Sequence, residues 1–416
     1  MSVEIIAVGT ELLLGQLVDT NTAFIARELA DAGIDVRATH AVGDNRERIA
    51  DAVRASLARA QAVVTTGGLG PTVDDLTKEA VCDALGLGTE LYEPALRQME
   101  GFFAKIGRPM RENNRKQAQL PAGSRPLENP NGTAPGFVAF APGGKLVACM
   151  PGVPREMQPM MRSQLVPFLR ERLGATKMIR TRIIHTIGLG ESEIDHRIGD
   201  LFRASENPKI AVLAHDFRAD VKIMAKSATP EAAEAAILPL QREIERRLDG
   251  YVFGIDDDTP ASVVLALLRQ RRQRLALAES CTGGRIAAAL TSIPGSSESF
   301  LGAIVAYDDR VKRSELDVEA EELDRYGAVS EEVARQMARG ARRRMQADLA
   351  LATTGIAGPQ GGTLEKPVGL VWFALDDASA KLQTWEYRFA GDRGAVQQRA
   401  TTVAFDLLWR RLRQTP

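Results

Sequence analysis

No histidine follows His215, and from Tyr251 onward the chain holds three lysines, Lys312, Lys366 and Lys381, among many arginines. The first absence excludes a serine–histidine–acid triad built within that region. The second makes each lysine conspicuous, because arginine keeps its proton whereas a desolvated lysine can release it. Cysteine is scarce too. Cys82, Cys149 and Cys281 are odd in number and far apart. They fit neither a disulfide framework nor a zinc cluster and suit a reducing cytoplasm. The formal net charge is −1, so no overall basic field invites nucleic acid. No apolar run approaches the about 20 residues of a membrane span, and an acid, Glu4, stands where a signal peptide carries basic residues. A cytoplasmic chain without a membrane partner is expected.

What is present reads as two or three domains in 416 residues. Residues 1–170 alternate strand and helix. Apolar strands are expected at 3–8, 34–42 and 62–66, with helices at 21–32, 46–60 and 74–85. That rhythm predicts a mostly parallel sheet with ligands at the carboxyl ends of its strands. Residues 171–254 read as a small α+β module, with strands at 179–187, 210–217 and 221–225 and a helix at 230–248. The turn-rich Asp256-Asp257-Asp258-Thr259-Pro260 marks the next boundary. Residues 255–416 return to α/β: strands at 275–278, 300–307 and 349–353, paired strands at 368–375 and 384–389, a helix capped by Ser330, and a closing helix at 395–412.

The pattern T-T-G-x-x-G-P occurs twice, at 65–71 and 353–359, each time after an apolar strand. It reads as one device used twice, a strand end whose glycines let backbone N–H groups approach an anion.

In the last region Ser280 lies between a buried strand and a Gly-Gly helix entry. A nucleophile there is exposed at a strand end, near a positive helix N-terminus and N–H groups able to stabilise an oxyanion. A plain N-cap at Ser280 or Thr282 fits the same residues. Cys281 is a rival nucleophile. A serine needs a base, and lysine, tyrosine or a carboxylate remain. Lys312 stands out in Tyr307-Asp308-Asp309-Arg310-Val311-Lys312; a surface lysine is the alternative.

Ala278-Glu279-Ser280-Cys281-Thr282-Gly283-Gly284, Pro294-Gly295-Ser296-Ser297, Tyr307 and Lys312, Gly327-Ala328-Val329-Ser330, Thr354 to Pro359, Lys366-Pro367-Val368-Gly369 and Gly391-Asp392-Arg393 appear in that order. Together they resemble the CinA C-terminal domain, which is similar to stand-alone nicotinamide mononucleotide deamidases. The resemblance implies hydrolysis of the carboxamide to nicotinate mononucleotide and ammonia, without a cofactor. It implies Ser280 as nucleophile, Lys312 as base and Tyr307 close by. Thr282, Gly283, Gly284, Thr354 and Gly355 would line the pocket, and Arg393 would hold a charged part of the ligand. Asp309 stands where family members often have asparagine, and no consequence is expected there.

Thr66-Gly67-Gly68-Leu69-Gly70-Pro71-Thr72-Val73-Asp74-Asp75 joins a glycine-rich loop to two acids at an expected helix start. The glycines suit phosphate and the acids a divalent cation, though acids in a first turn also serve the helix dipole. Lys78 lies outside the spacing of a Walker motif. With residues 9–15, Asp19-Thr20-Asn21, Asn113 to Ala118, residues 130–136 and Met150 to Met157, this region also resembles CinA. The fold implied is that of molybdopterin-binding proteins such as MogA and MoeA. The activity implied is metal-dependent hydrolysis of ADP-ribose to AMP and ribose 5-phosphate. Gly67, Gly68, Gly70, Thr72, Asn21, Asn113, Lys116 and Gln117 would bind substrate, and Asp74, Asp75 and Glu11 a cation such as Mg2+. Thr10 replaces an aspartate common in the family. The middle module would be the family's KH-like insertion. It lacks a G-x-x-G clamp, so it reads as a spacer or dimer contact rather than a nucleic-acid binder. A homodimer is implied. Molybdopterin-related binding, or a non-enzymatic role in competence or DNA damage, is the alternative.

Overall fold

The structure is a computed structural model that describes residues 2–105, 107–215 and 217–414. The chain forms two compact units, Met1–Thr181 with Ala225–Ala236 and Arg182–Met224 with Ile237–Pro416.

The first unit is built on a six-stranded sheet in the order Asp35–Val42, Ser2–Val8, Ala62–Thr66, Leu146–Met150, Gly136–Phe140, Arg125–Leu127. The first four strands are parallel and the last two pairings antiparallel. Ala62–Thr66 and Leu146–Met150 are buried at every residue, as strands covered on both faces must be. Phe24, Ile25 and Leu29 of the helix Thr20–Asp31 pack on one face with Met157, Met160 and Leu165. Ile49, Val53 and Leu57 of the helix Arg46–Arg59 pack on the other with Ala80 and Val81. The helix expected from residue 74 begins at Thr77. Asp75 is the reason: its carboxylate accepts from the Thr72 amide at 2.8 Å and from the Thr72 hydroxyl, closing a turn that ends before the helix.

The middle sheet has the order Lys209–His215, Arg218–Ser227, Met178–Ile187, Val252–Ile255. Helices Glu191–Ala204 and Pro230–Arg247 accompany it.

In the second unit a five-stranded sheet runs Phe300–Val305, Leu275–Glu279, Leu349–Gly355, Leu370–Asp377, Gln383–Arg388. Its first three strands are parallel and its last two pairings antiparallel. The helix Glu331–Met345, N-capped by Ser330 through the Val333 amide, covers one face. Pro260–Arg271 and Arg393–Arg413 cover the other. Both sheets therefore gather the loops after their parallel strands at one end.

Glu331–Met345 also packs on the short helix Asp309–Leu316, and Gly340 is where they meet. A Cβ added there would overlap the Leu316 carbonyl oxygen. Helix propensity alone would make Gly340→Ala stabilising by about 1 kcal/mol. A clash with backbone outweighs it, at about 1–3 kcal/mol for overpacking. Gly340→Ala is therefore expected to lower the urea midpoint of unfolding; a raised midpoint would show that the two helices move apart freely.

Candidate functional site

The turn after Leu275–Glu279 is organised by the last residue of that strand. Glu279 has no exposed surface. Its carboxylate accepts from the amides of Gly284 at 3.0 Å, Ile286 at 3.2 Å and Ala287 at 2.8 Å. These are the free N–H groups at the start of the helix Arg285–Thr291, which need acceptors when buried. The positive helix end expected beside a ligand is thus satisfied by the protein's own carboxylate. Glu279 is committed to backbone and unsuited to act as base.

Between strand and helix, the five residues 280–284 divide in two. Ser280 and Cys281 line a cavity of about 250 Å³. Thr282, Gly283 and Gly284 lie outside its lining, a correction to their expected place. Thr282 is fully buried, its hydroxyl 2.9 Å from that of Thr353. Gly283 and Gly284 take φ of +62° and +90°, the left-handed region that favours glycine. Their positive φ turns the chain from the strand into the helix. Cys281 is 4% exposed, and burial pushes its thiol up to about 12. It stays protonated at neutral pH and is a poor nucleophile.

Four more chain segments complete the cavity. Tyr307, Asp309 and Lys312 follow the strand Phe300–Val305, and Ala328 and Val329 precede the Ser330 cap. Thr354 and Gly355 end the strand Leu349–Gly355, residues 356–358 and 360–361 follow it, and Arg393 opens the helix Arg393–Arg413. Ser280, Tyr307, Lys312, Thr354, Gly355 and Arg393 thus converge from four separate chain segments. Lys312 is 2% exposed, and its Nζ lies 2.9 Å from Asp309 Oδ1 and 3.5 Å from the Tyr307 carbonyl. This ion pair gives Asp309 a partner inside the cavity. Tyr307 is 58% exposed at the rim, and Arg393 donates to its hydroxyl at 2.5 Å and to the Gly358 carbonyl at 3.1 Å. The Thr354 hydroxyl donates to the Ala328 carbonyl at 2.7 Å. Lys366 donates to the carbonyls of Tyr326 and Val329, the latter at 2.8 Å. Thr354 and Lys366 therefore fix the 326–329 wall, a role that the bare sequence does not reveal.

The first unit has an analogous cavity of about 570 Å³ at the carboxyl ends of its parallel strands. Glu11 follows the first strand and Asp44 the second; Gly67, Gly68, Gly70, Thr72, Asp74 and Asp75 follow the third. Gly152, Pro154 and Glu156 follow the fourth, and Gln117 enters from a separate turn. Gln117 is 6% exposed and its Oε1 has no hydrogen-bond partner, leaving a buried acceptor in the wall. Asn21 lines an adjoining cavity of about 540 Å³ and donates to Thr66 Oγ1 at 3.1 Å and to the Gly152 carbonyl at 2.7 Å. Asn113 and Lys116 lie outside the larger cavity's lining. Asn113 Nδ2 is 3.4 Å from the Pro71 carbonyl, and Lys116 Nζ donates to the Asp75 carbonyl at 2.9 Å. Both hold the segment that continues the glycine loop, and Lys116 lines a small neighbouring cavity with Gly68 and Gly70. The glycines have packing reasons of their own: a Cβ at Gly67 would overlap the Val8 carbonyl oxygen, and one at Gly68 the Thr77 hydroxyl.

Glu11, Asp74 and Asp75 line one cavity, yet among the described residues no three acidic, histidine or cysteine side chains form a metal-binding group. Asp75 is engaged by Thr72. This donor set does not make a closed cage. It does suit a cation shared with a diphosphate, because Mg2+ takes one or two carboxylates and fills its shell with phosphate and water. Among the described residues no helix is long and apolar enough to cross a membrane.

Three family models match this chain in succession. "Probable molybdopterin binding domain" matches residues 4–171, "Damage-inducible protein CinA KH domain" residues 181–254, and "CinA C-terminal domain" residues 257–412. A CinA-like protein of Gloeothece citriformis is 42% identical over 414 residues, covering 99% of each chain. One of Dictyoglomus thermophilum is 41% identical over 412 residues with the same coverage. The solved structure of competence/damage inducible protein CihA from Agrobacterium tumefaciens is 40% identical, with a TM-score of 0.36. It covers 37% of this chain and 94% of its own. With relatives above 40% identity along its whole length and all three domain models in order, the chain belongs to the CinA family.

Proposed function

We propose that the C-terminal region hydrolyses the carboxamide of nicotinamide mononucleotide, giving nicotinate mononucleotide and ammonia. The observation that carries this reading is the convergence of Ser280, Lys312, Tyr307 and Arg393 on one cavity in a region without histidine. Ser280 Oγ attacks the carboxamide carbon while Lys312, as the neutral amine, takes the hydroxyl proton. The ammonium so formed faces the developing oxyanion, where charge stabilisation is worth most. It then returns its proton to the departing nitrogen, which leaves as ammonia. Water, deprotonated by the same amine, cleaves the ester and frees Ser280. Arg393, at the rim with Tyr307, suits the substrate phosphate. No cofactor enters these steps.

For the first unit the proposal is hydrolysis of ADP-ribose to AMP and ribose 5-phosphate. The 570 Å³ cavity beside the glycine loop supports it, with Gln117 offering a buried acceptor. A divalent cation held between Asp74, Glu11 and the substrate would neutralise diphosphate charge. The match to a molybdopterin-binding domain favours a second reading, binding of a pterin phosphate in the same cavity. Competition between ADP-ribose and molybdopterin for the purified chain separates the two. A cytoplasmic homodimer belongs to the proposal, and size-exclusion chromatography with light scattering checks the dimer.

Ser280→Ala should reduce ammonia release by on the order of 10⁴-fold, while Cys281→Ala keeps it within about threefold because that buried thiol takes no part. Lys312→Arg should be as inactive as Lys312→Ala, since guanidinium does not act as a base at neutral pH. A dead cysteine variant beside an active serine variant would reverse the assignment, and wild-type turnover in Lys312→Arg would reduce Lys312 to a structural cation.

Asp74→Asn should slow ADP-ribose cleavage by at least about tenfold, or 1.4 kcal/mol, and leave deamidation untouched because the two cavities share no residue. A chelator should reproduce the loss. Cleavage at full rate in its presence would exclude the cation.

A further inference from the structure

Lys312 meets its neighbours in a way that extends the deamidase reading, on which this inference rests. Its side chain is 2% exposed and that of Asp309 is 56% exposed, with Nζ and Oδ1 2.9 Å apart. The buried amine thus has a carboxylate on its solvent side, and both residues line the cavity with Ser280.

The other charged and titratable groups nearby are engaged elsewhere. Asp308 accepts from the Arg310 amide at 2.9 Å and from its guanidinium at 3.0 and 3.2 Å. That arginine holds the Asp308 carboxyl down at about 2. Glu279 is bound to three amides. Arg393 is turned to Tyr307 and Gly358, and Cys281 keeps its proton. The helix Glu331–Met345, packed against Asp309–Leu316, buries Val333, Ala334, Met337, Ala338 and Ala341, none of which titrates. Its Arg344 pairs with Glu315 in the last turn of the short helix. Among the described residues Asp309 is the carboxylate that Lys312 faces.

We infer that Asp309 is a positioning residue for the deamidase reaction: it holds the Lys312 amine toward Ser280 and sets the pH at which that amine becomes a base. Attack by Ser280 moves the hydroxyl proton onto Nζ as the carbon–oxygen bond forms. The Asp309 carboxylate, 2.9 Å from Nζ, faces the ammonium that results. It therefore stabilises the charged form before the reaction, raising the pH needed for activity, and stabilises it again in the transition state. An amide at 309 would keep an oxygen for Nζ without the charge.

The test is the pH–rate profile of ammonia release from nicotinamide mononucleotide for the full chain, with Asp309→Asn, Asp309→Ala and Lys312→Ala. Asp309→Asn removes the carboxylate charge that lies 2.9 Å from Nζ. The ascending limb of kcat should move to lower pH by about one unit, with KM within twofold. Asp309→Ala should lower kcat by about tenfold, again at nearly unchanged KM, because only the 3.5 Å contact with the Tyr307 carbonyl is then left to hold Nζ. Asp309 is more than half exposed, so both variants should fold, and their melting curves should overlay that of the parent. An inactive Lys312→Ala beside Asp309 variants with the parent's profile and kcat would overturn the inference and leave the base intact. Turnover in Lys312→Ala, or none in the parent chain, would overturn the deamidase reading and this inference together.

Discussion

Everything at the C-terminal site depends on where Glu279 puts its carboxylate. A fully buried carboxylate is costly unless hydrogen-bonded, and here three amides of the following helix supply those bonds. That requirement fixes the five-residue turn between strand and helix. Gly283 and Gly284 must take positive φ for the amides to face back, and Thr282 must go inside against Thr353. What remains for Ser280 is the cavity side. The serine is therefore placed by a satisfied helix terminus rather than offered to one, and Lys312 and Arg393 are cationic side chains that line its cavity.

The two T-T-G-x-x-G-P segments show how one sequence pattern serves two sheets. Both sit at the end of a parallel strand and both border a cavity. In the first unit Gly67 and Gly68 have positive φ and Gly70 lies against the Asp75 carboxylate. In the second, Gly355 lies against the Leu370 carbonyl oxygen and Gly358 has positive φ. The glycines are demanded in both places by positive φ or by close packing, against backbone at Gly67 and Gly355 and against side chains at Gly68, Gly70 and Gly358. That packing leaves both loops at the carboxyl ends of the strands, where open α/β sheets bind ligands.

Much of this was legible beforehand. The alternating strands and helices of residues 1–85 and 275–412 follow apolar periodicity, and the Ser330 cap follows from a serine ahead of two glutamates. Legibility ends where one residue type serves two purposes. A glycine required for positive φ looks the same as one left bare for a ligand, which is why Gly283 and Gly284 could not be told apart from cavity lining. Asp74 and Asp75 resemble first-turn acids, but the bond from Asp75 back to Thr72 delays the helix to Thr77. Asn113 and Lys116 read as polar groups facing a ligand, and only the fold shows them turned to the carbonyls of Pro71 and Asp75. Asp309 and Lys366 carry no local signal, because the partners that give them meaning are set by side-chain direction or by a chain segment 37–40 residues away.

The central claim is that this histidine-free domain hydrolyses an amide with a serine and a lysine. Ammonia release from nicotinamide mononucleotide by the purified, folded full-length chain tests it most directly, with nicotinate mononucleotide followed in parallel. The account predicts equal amounts of both products over many turnovers, without added metal. Unchanged substrate at high enzyme concentration would contradict it.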